Sequence, residues 1–245
     1  MTVIIGLLCS DGGILACDSQ GTDLEAGIRV EVESKVFPLC THIVWGLSGP
    51  QGLQQVLKES LDATVRSTWP KKTLSQIRMA LVNKVTGRQA EAVRQFVPAR
   101  PNARSPTAEA LFCGFTADKW LLEISETGQQ QQYSKFCAVG SAKGTAYHVW
   151  NTLRHYQPHD ETVEFGKVLA YRVVDDVIRT EALFVGFPIR MWVVQESGVT
   201  HLAQPEIHAL GQLVEAWKED ESHSLRRVLE GRGETATPSQ ECDGG

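Results

Sequence analysis

Apolar residues follow two rhythms along this chain. Early on they come as short, nearly unbroken runs: Val3-Ile4-Ile5-Gly6-Leu7-Leu8-Cys9, Ile14-Leu15-Ala16-Cys17, Val36-Phe37-Pro38-Leu39 and Ile43-Val44-Trp45. Such runs, bounded by turn residues, read as strands. Ser10-Asp11-Gly12-Gly13 between the first two is strong hairpin-turn chemistry. A polar, glycine-containing excursion follows Asp18, and a third strand, Val30 to Val32, then runs toward Lys35. From Gln51 to about Thr68 the rhythm turns helical, with a stripe of Leu53, Val56, Leu57, Leu61 and Val65. Trp69-Pro70 ends that helix. A second one starts at Lys71 to Leu74 and carries Ile77, Leu81, Val85, Ala92 and Phe96 on its apolar side.

Val97 to Pro106 reads as a proline-rich surface loop. Strands return at Glu109 to Thr116, Lys119 to Ser125 and Tyr133 to Val139, with the glutamines of 129–132 as a turn edge. Two helices follow, one from Gly140-Ser141 through Leu153 and one from about Glu161 to Leu183. Pro188 to Gln195 and Val199 to Ala203 form a closing hairpin. A last helix runs from Glu206 to about Lys218, packing Leu210, Leu213, Val214 and Trp217. Runs of strands followed by runs of helices, without strict alternation, predict an α+β fold of antiparallel sheets. Two halves, each with a sheet and a helix pair, make a four-layer αββα sandwich with helices on both outer faces. One domain is expected over residues 1–220. The charged, then Gly/Ser/Thr/Pro-rich stretch 221–245 is expected to be a disordered tail.

The 245 residues suffice for a substantial core. A net charge of −5 argues against nucleic acid as the main partner, because phosphate contacts need a basic face. No apolar run approaches the ~20 residues that span a bilayer, and no signal peptide precedes the first strand, which points to the cytoplasm. The six cysteines form no CxxC pair and fall mostly in apolar strands, as free buried thiols of a reducing compartment do. His155 and His159 are four apart, but Pro158 breaks the helix a metal pair would need, and no third ligand is near.

Several short motifs occur in a telling order: Thr2-Val3-Ile4-Ile5, Asp11 to Ser19, Ser34-Lys35-Val36-Phe37-Pro38, Gly46-Leu47-Ser48-Gly49, Val139-Gly140-Ser141 and, more weakly, Gly186-Phe187-Pro188-Ile189. With them the chain resembles a proteasome β-type subunit of the N-terminal-nucleophile hydrolases, as a divergent bacterial homologue, over about residues 2 to 217. The resemblance implies a threonine-type endopeptidase that cleaves peptides or unfolded protein within a homo-oligomeric ring. It also implies an ATP-dependent unfoldase as feeding partner, and neither metal nor organic cofactor.

By the same resemblance, Thr2 is the nucleophile once Met1 is removed. A free hydroxyl is weak at neutral pH and needs a base. An α-amino group, with a pKa of about 7.7–8.0, is basic enough and sits on the same residue. Lys35 is the charge that lowers the hydroxyl pKa, and Asp18 keeps Lys35 charged and oriented. Gly46 is the oxyanion donor, a role typically worth about 2.7–4 kcal/mol. Val44 and Trp45 fall where the family floors its substrate pocket, and Ser141 lies near the threonine amine. Each has a plainer reading: an edge-strand threonine, two surface charges, a turn glycine, a helix-capping serine. The chain also departs from the pattern. Asp18 to Lys35 is one residue longer, and a one-residue slip would turn Lys35 to the wrong face unless 20–29 absorbs it. The family's Arg-Asp pair and Ser-Gly-Gly are missing from Thr180 to Phe187. Two other functions fit the motifs: a non-catalytic structural ring subunit, and a small-molecule amidohydrolase outside any ring.

Overall fold

The computed structural model of this protein describes residues 2–23, 28–32, 34–65, 73–99, 107–156, 161–183 and 185–233. Its first strands, β1 (Ile4–Cys9) and β2 (Gly12–Cys17), are buried at every position, which is why neither alternates. They pair antiparallel with Cys9 opposite Gly12, leaving Ser10 and Asp11 as the turn. The expected turn glycines are therefore strand residues. A Cβ on Gly12 would lie 2.5 Å from the Val194 carbonyl oxygen, and one on Gly13 would lie 2.4 Å from Cys113 Sγ. Close packing, not turn conformation, requires glycine at both.

The excursion after Asp18 is a separate small hairpin, β3 (Gln20–Asp23) paired with β4 (Ile28–Glu31). One sheet of five strands contains β1, β2, β10 (Phe136–Val139), β11 (Arg190–Gln195) and β12 (Gly198–His201), in the order β10-β1-β2-β11-β12. The other holds β5 (Val36–Cys40), β6 (Ile43–Ser48), β7 (Glu109–Phe115), β8 (Lys119–Ile124) and β9 (Gln130–Tyr133) side by side. Both are antiparallel throughout.

Helices α1 (Gln51–Val65) and α2 (Leu74–Ala99) cover the second sheet, closing a core around Leu57, Leu61, Ile77, Leu81, Trp45 and Phe112. Leu57 and Leu61 are fully buried, worth ~1.5–3 kcal/mol each. Helices α3 (Lys143–Leu153), α4 (Val163–Thr180) and α5 (Gln204–Gly233) cover the first sheet over a core that includes Ile5, Leu7, Trp150, Val173 and Val177. A third core, with Ile4, Leu15, Val44, Leu111 and Leu121, lies between the sheets. The αββα sandwich expected from the strand and helix runs is the observed fold.

Details differ. Val56 and Leu213, expected in buried stripes, are exposed, because α1 buries its Leu53/Leu57/Leu61 row and α5 its Leu210/Val214 row. The glutamines of 130–132 are strand, not turn: β9 is an edge strand whose residues are largely exposed, so no apolar alternation marks it. The last helix does not stop near Lys218 but continues to Gly233. Its charged residues are good helix formers, and Glu221 accepts from Arg172 Nη2 of α4 at 3.0 Å. Of the expected tail, 221–233 is thus helical, and 234–245 lies outside the described residues. Among the described residues, no helix is long and apolar enough to cross a membrane.

Candidate active site

The pairing of Ile4 with Cys17 brings the residues just before β1 alongside those just after β2. Asp18 N donates to Val3 O at 3.3 Å, and Val3 N donates to Asp18 Oδ1 at 3.0 Å. Asp18 is wholly buried, so its carboxylate must find partners within the protein. It does: Oδ2 accepts from Gln20 N at 3.1 Å and from Gly186 N at 3.3 Å, and Oδ1 accepts from Lys35 Nζ at 2.7 Å. Lys35, 5% exposed, also donates to Gln20 O at 2.6 Å. One carboxylate oxygen thus holds both the ammonium and the Val3 amide, which sets the positive charge beside the Thr2–Val3 peptide. The extra residue between Asp18 and Lys35 does not turn the lysine away. The interval contains the β3–β4 hairpin, with residues 24–27 and 33 outside the described set.

Thr2 is itself nearly buried and is held at both ends by one turn. Thr2 N donates to Ser141 Oγ at 3.1 Å, and Thr2 O accepts from Ala142 N at 3.3 Å. Ser141 does not cap α3: the cap position is Ala142, which makes no side-chain cap bond. Gly140, at the head of the turn, has φ +103°, and a Cβ there would lie 2.3 Å from Thr2 O. Only glycine permits that approach in that conformation.

Gly46 is paired with Val36 on one side and Leu111 on the other. A Cβ on it would meet Ile4 Cδ1 and Val36 Cγ2 at 3.0 Å and Lys35 O at 3.1 Å. It lies beside the Lys35 corner, and close packing alone gives it a reason to be glycine. Val44 is on the same, inter-sheet face, but Trp45 points the other way and stacks on Phe112 under the helices, 5.8 Å between centroids. Trp45 is therefore core and not pocket floor. It follows from the two-residue period of a strand.

Sequence reasoning missed three contributors. Gln20 supplies a carbonyl to Lys35 and an amide to Asp18. Gly186 supplies an amide to Asp18, and its carbonyl accepts from Ser19 N at 3.0 Å. These are backbone groups, which no residue type advertises. The third, Glu109, accepts from Gly140 N at 2.7 Å. In the stretch that lacks the family's Arg-Asp pair, Glu181 accepts from Thr145 Oγ1 at 2.8 Å instead. Next to Asp18, burial pushes the Cys17 thiol up to about 12, so it stays protonated and a poor nucleophile near neutral pH. Among the described residues, no group of three or more His, Cys, Asp or Glu side chains could hold a metal ion.

Two antiparallel sheets between helical layers, with this acid–lysine–serine group gathered at the start of the first strand, define a proteasome-like sandwich. A model of the proteasome subunit family matches residues 2–194, and the chain belongs to that family. It is 24% identical over 212 residues to a proteasome subunit beta of Methanococcus vannielii, a match that covers 85% of this chain and 90% of that one.

Proposed function

We propose that the chain is an N-terminal threonine endopeptidase, active as a subunit of a ring-shaped, self-compartmentalising protease. The observation that carries this reading is the buried Lys35–Asp18 pair at 2.7 Å, sharing Asp18 Oδ1 with the amide that follows Thr2. A buried ion pair is costly to keep, and one placed beside the Thr2–Val3 peptide suits the activation of the Thr2 hydroxyl.

Removal of Met1 leaves a free amine on Thr2. The amine takes the proton of the Thr2 hydroxyl, directly or through a water, and the oxygen attacks the scissile carbonyl carbon. The tetrahedral oxyanion is held by the Gly46 amide. Collapse breaks the C–N bond, the amine returns the proton to the leaving nitrogen, and an ester to Thr2 remains. Water then attacks that ester with the same amine as base, releasing the acid product and restoring the hydroxyl. Ser141 Oγ, already 3.1 Å from Thr2 N, orients the amine. The proposed substrate is peptide or unfolded protein in a homo-oligomeric ring in the cytoplasm, fed by an ATP-dependent unfoldase.

Thr2→Ala should abolish peptide cleavage and leave particle size unchanged by light scattering. Undiminished cleavage by that variant would show that the nucleophile lies elsewhere.

A further inference from the structure

We infer that Glu109 is a positioning residue for Thr2, acting through the Gly140–Ser141 turn. The inference rests on the reading of Thr2 as nucleophile. That turn clasps Thr2 at both its nitrogen and its carbonyl oxygen, at 3.1 and 3.3 Å. With Gly140 at φ +103° packed against Thr2 O, a small movement of the turn displaces Thr2 as well. Something must therefore hold the turn.

Glu109 does so from the opposite sheet. It opens β7, where its Cα pairs with Ser48 at the end of β6, so its backbone is fixed in the sheet that also carries Gly46. Its side chain leaves that sheet and accepts from Gly140 N through Oε2 at 2.7 Å. Its other oxygen, Oε1, accepts from Lys143 Nζ in the first turn of α3. Lys143 N in turn donates to Gly140 O at 3.1 Å. The carboxylate of Glu109, a residue only 8% exposed, thus ties the turn and the helix after it to the strand layer across the interface. A charged acceptor makes the stronger bond to an amide, and the Lys143 ammonium compensates the burial of that charge. Glu123 and Glu126 also act on Lys143, but the Glu109 bond is the main reason its ammonium is held above the ordinary lysine range. Glu109 therefore supplies a support for the turn that holds the threonine amine.

The roles of Glu109 as acceptor for Gly140 and as partner of Lys143 separate under mutation. Two measurements on the assembled full chain read them: hydrogen exchange of the peptide spanning 138–144, and the rate at which a peptide epoxyketone modifies Thr2. Glu109→Gln keeps an acceptor and Lys143→Met keeps the carboxylate, so each should stay within about threefold of wild type in both. Glu109→Ala should raise exchange at Gly140 and Ala142 about tenfold and slow Thr2 modification about as much. The charge swap E109K/K143E preserves an ion pair but turns a donor toward Gly140 N, so it should behave like Glu109→Ala. If Glu109→Ala fails to fold, E109L/K143M, which removes both charges and fills the space, takes its place. Restoration by the charge swap, or wild-type exchange in Glu109→Ala, would overturn the inference. A wild-type protein whose Thr2 does not react would remove the peptidase reading instead, and exchange would still decide whether Glu109 holds the turn.

Discussion

Asp18 has no exposed surface, and its two oxygens take bonds from the Val3, Gln20 and Gly186 amides and from Lys35 Nζ. Removing its charge strands a buried ammonium. Asp18→Asn should therefore cost about 3–5 kcal/mol, read as a fall in denaturant midpoint. An unchanged midpoint would mean that Lys35 finds another counter-charge. Gly140→Ala faces both a positive φ and a backbone oxygen 2.3 Å from its new Cβ. It should lose more than about 1 kcal/mol and disturb Thr2. Retained stability together with wild-type exchange at Ala142 would show that the turn can shift without penalty. At this scale the sequence made some of the site legible. Asp18, Lys35 and Ser141 stand out by type and order, because their chemistry lies in side chains. The Gln20 and Gly186 contributions do not, because any residue could supply them. Glu109 reads as the polar end of a strand, since only the fold brings it to Gly140.

The inner strands bury thiols. Burial pushes Cys9, Cys17 and Cys137 up to about 12 from an ordinary 9.0, and raises Cys113 as well. In the unfolded chain these thiols lose their protons near 9.0 while the folded chain still holds them. Between the two values the unfolded state binds fewer protons, so stability falls as pH rises. Urea midpoints should be flat up to about pH 8.5 and decline above pH 9. The decline should be shallower in Cys17→Ala, measured against that variant's own neutral-pH value. An identical slope would show that other groups govern the alkaline limb. The same apolar environment makes β1, β2 and β6 legible, because a strand buried on both faces reads as an unbroken run; β5 carries such a run although Pro38 is exposed. β9 was not legible, since an exposed edge strand has no apolar face to declare. The end of α5 is hard to read for a related reason: a helix surface bathed in water has the composition of a tail, and the sequence does not show that Glu221 meets Arg172 of α4.

For the molecule as a whole, the proposed ring sets a further expectation. Leu183 and Phe187 are 64% and 52% exposed on either side of Gly186, whose amide supports Asp18. A ring would give these two side chains a neighbouring subunit to pack against. Light scattering should accordingly give a native mass many times that of one chain. A monomer or dimer would favour the small-molecule amidohydrolase. The most direct test of the peptidase reading is mass spectrometry of the native particle after treatment with a peptide epoxyketone, which joins both the amine and the hydroxyl of an N-terminal threonine. The expected result is a chain lacking Met1 with a single adduct on Thr2. A chain lacking Met1 that remains unmodified at Thr2 would contradict it.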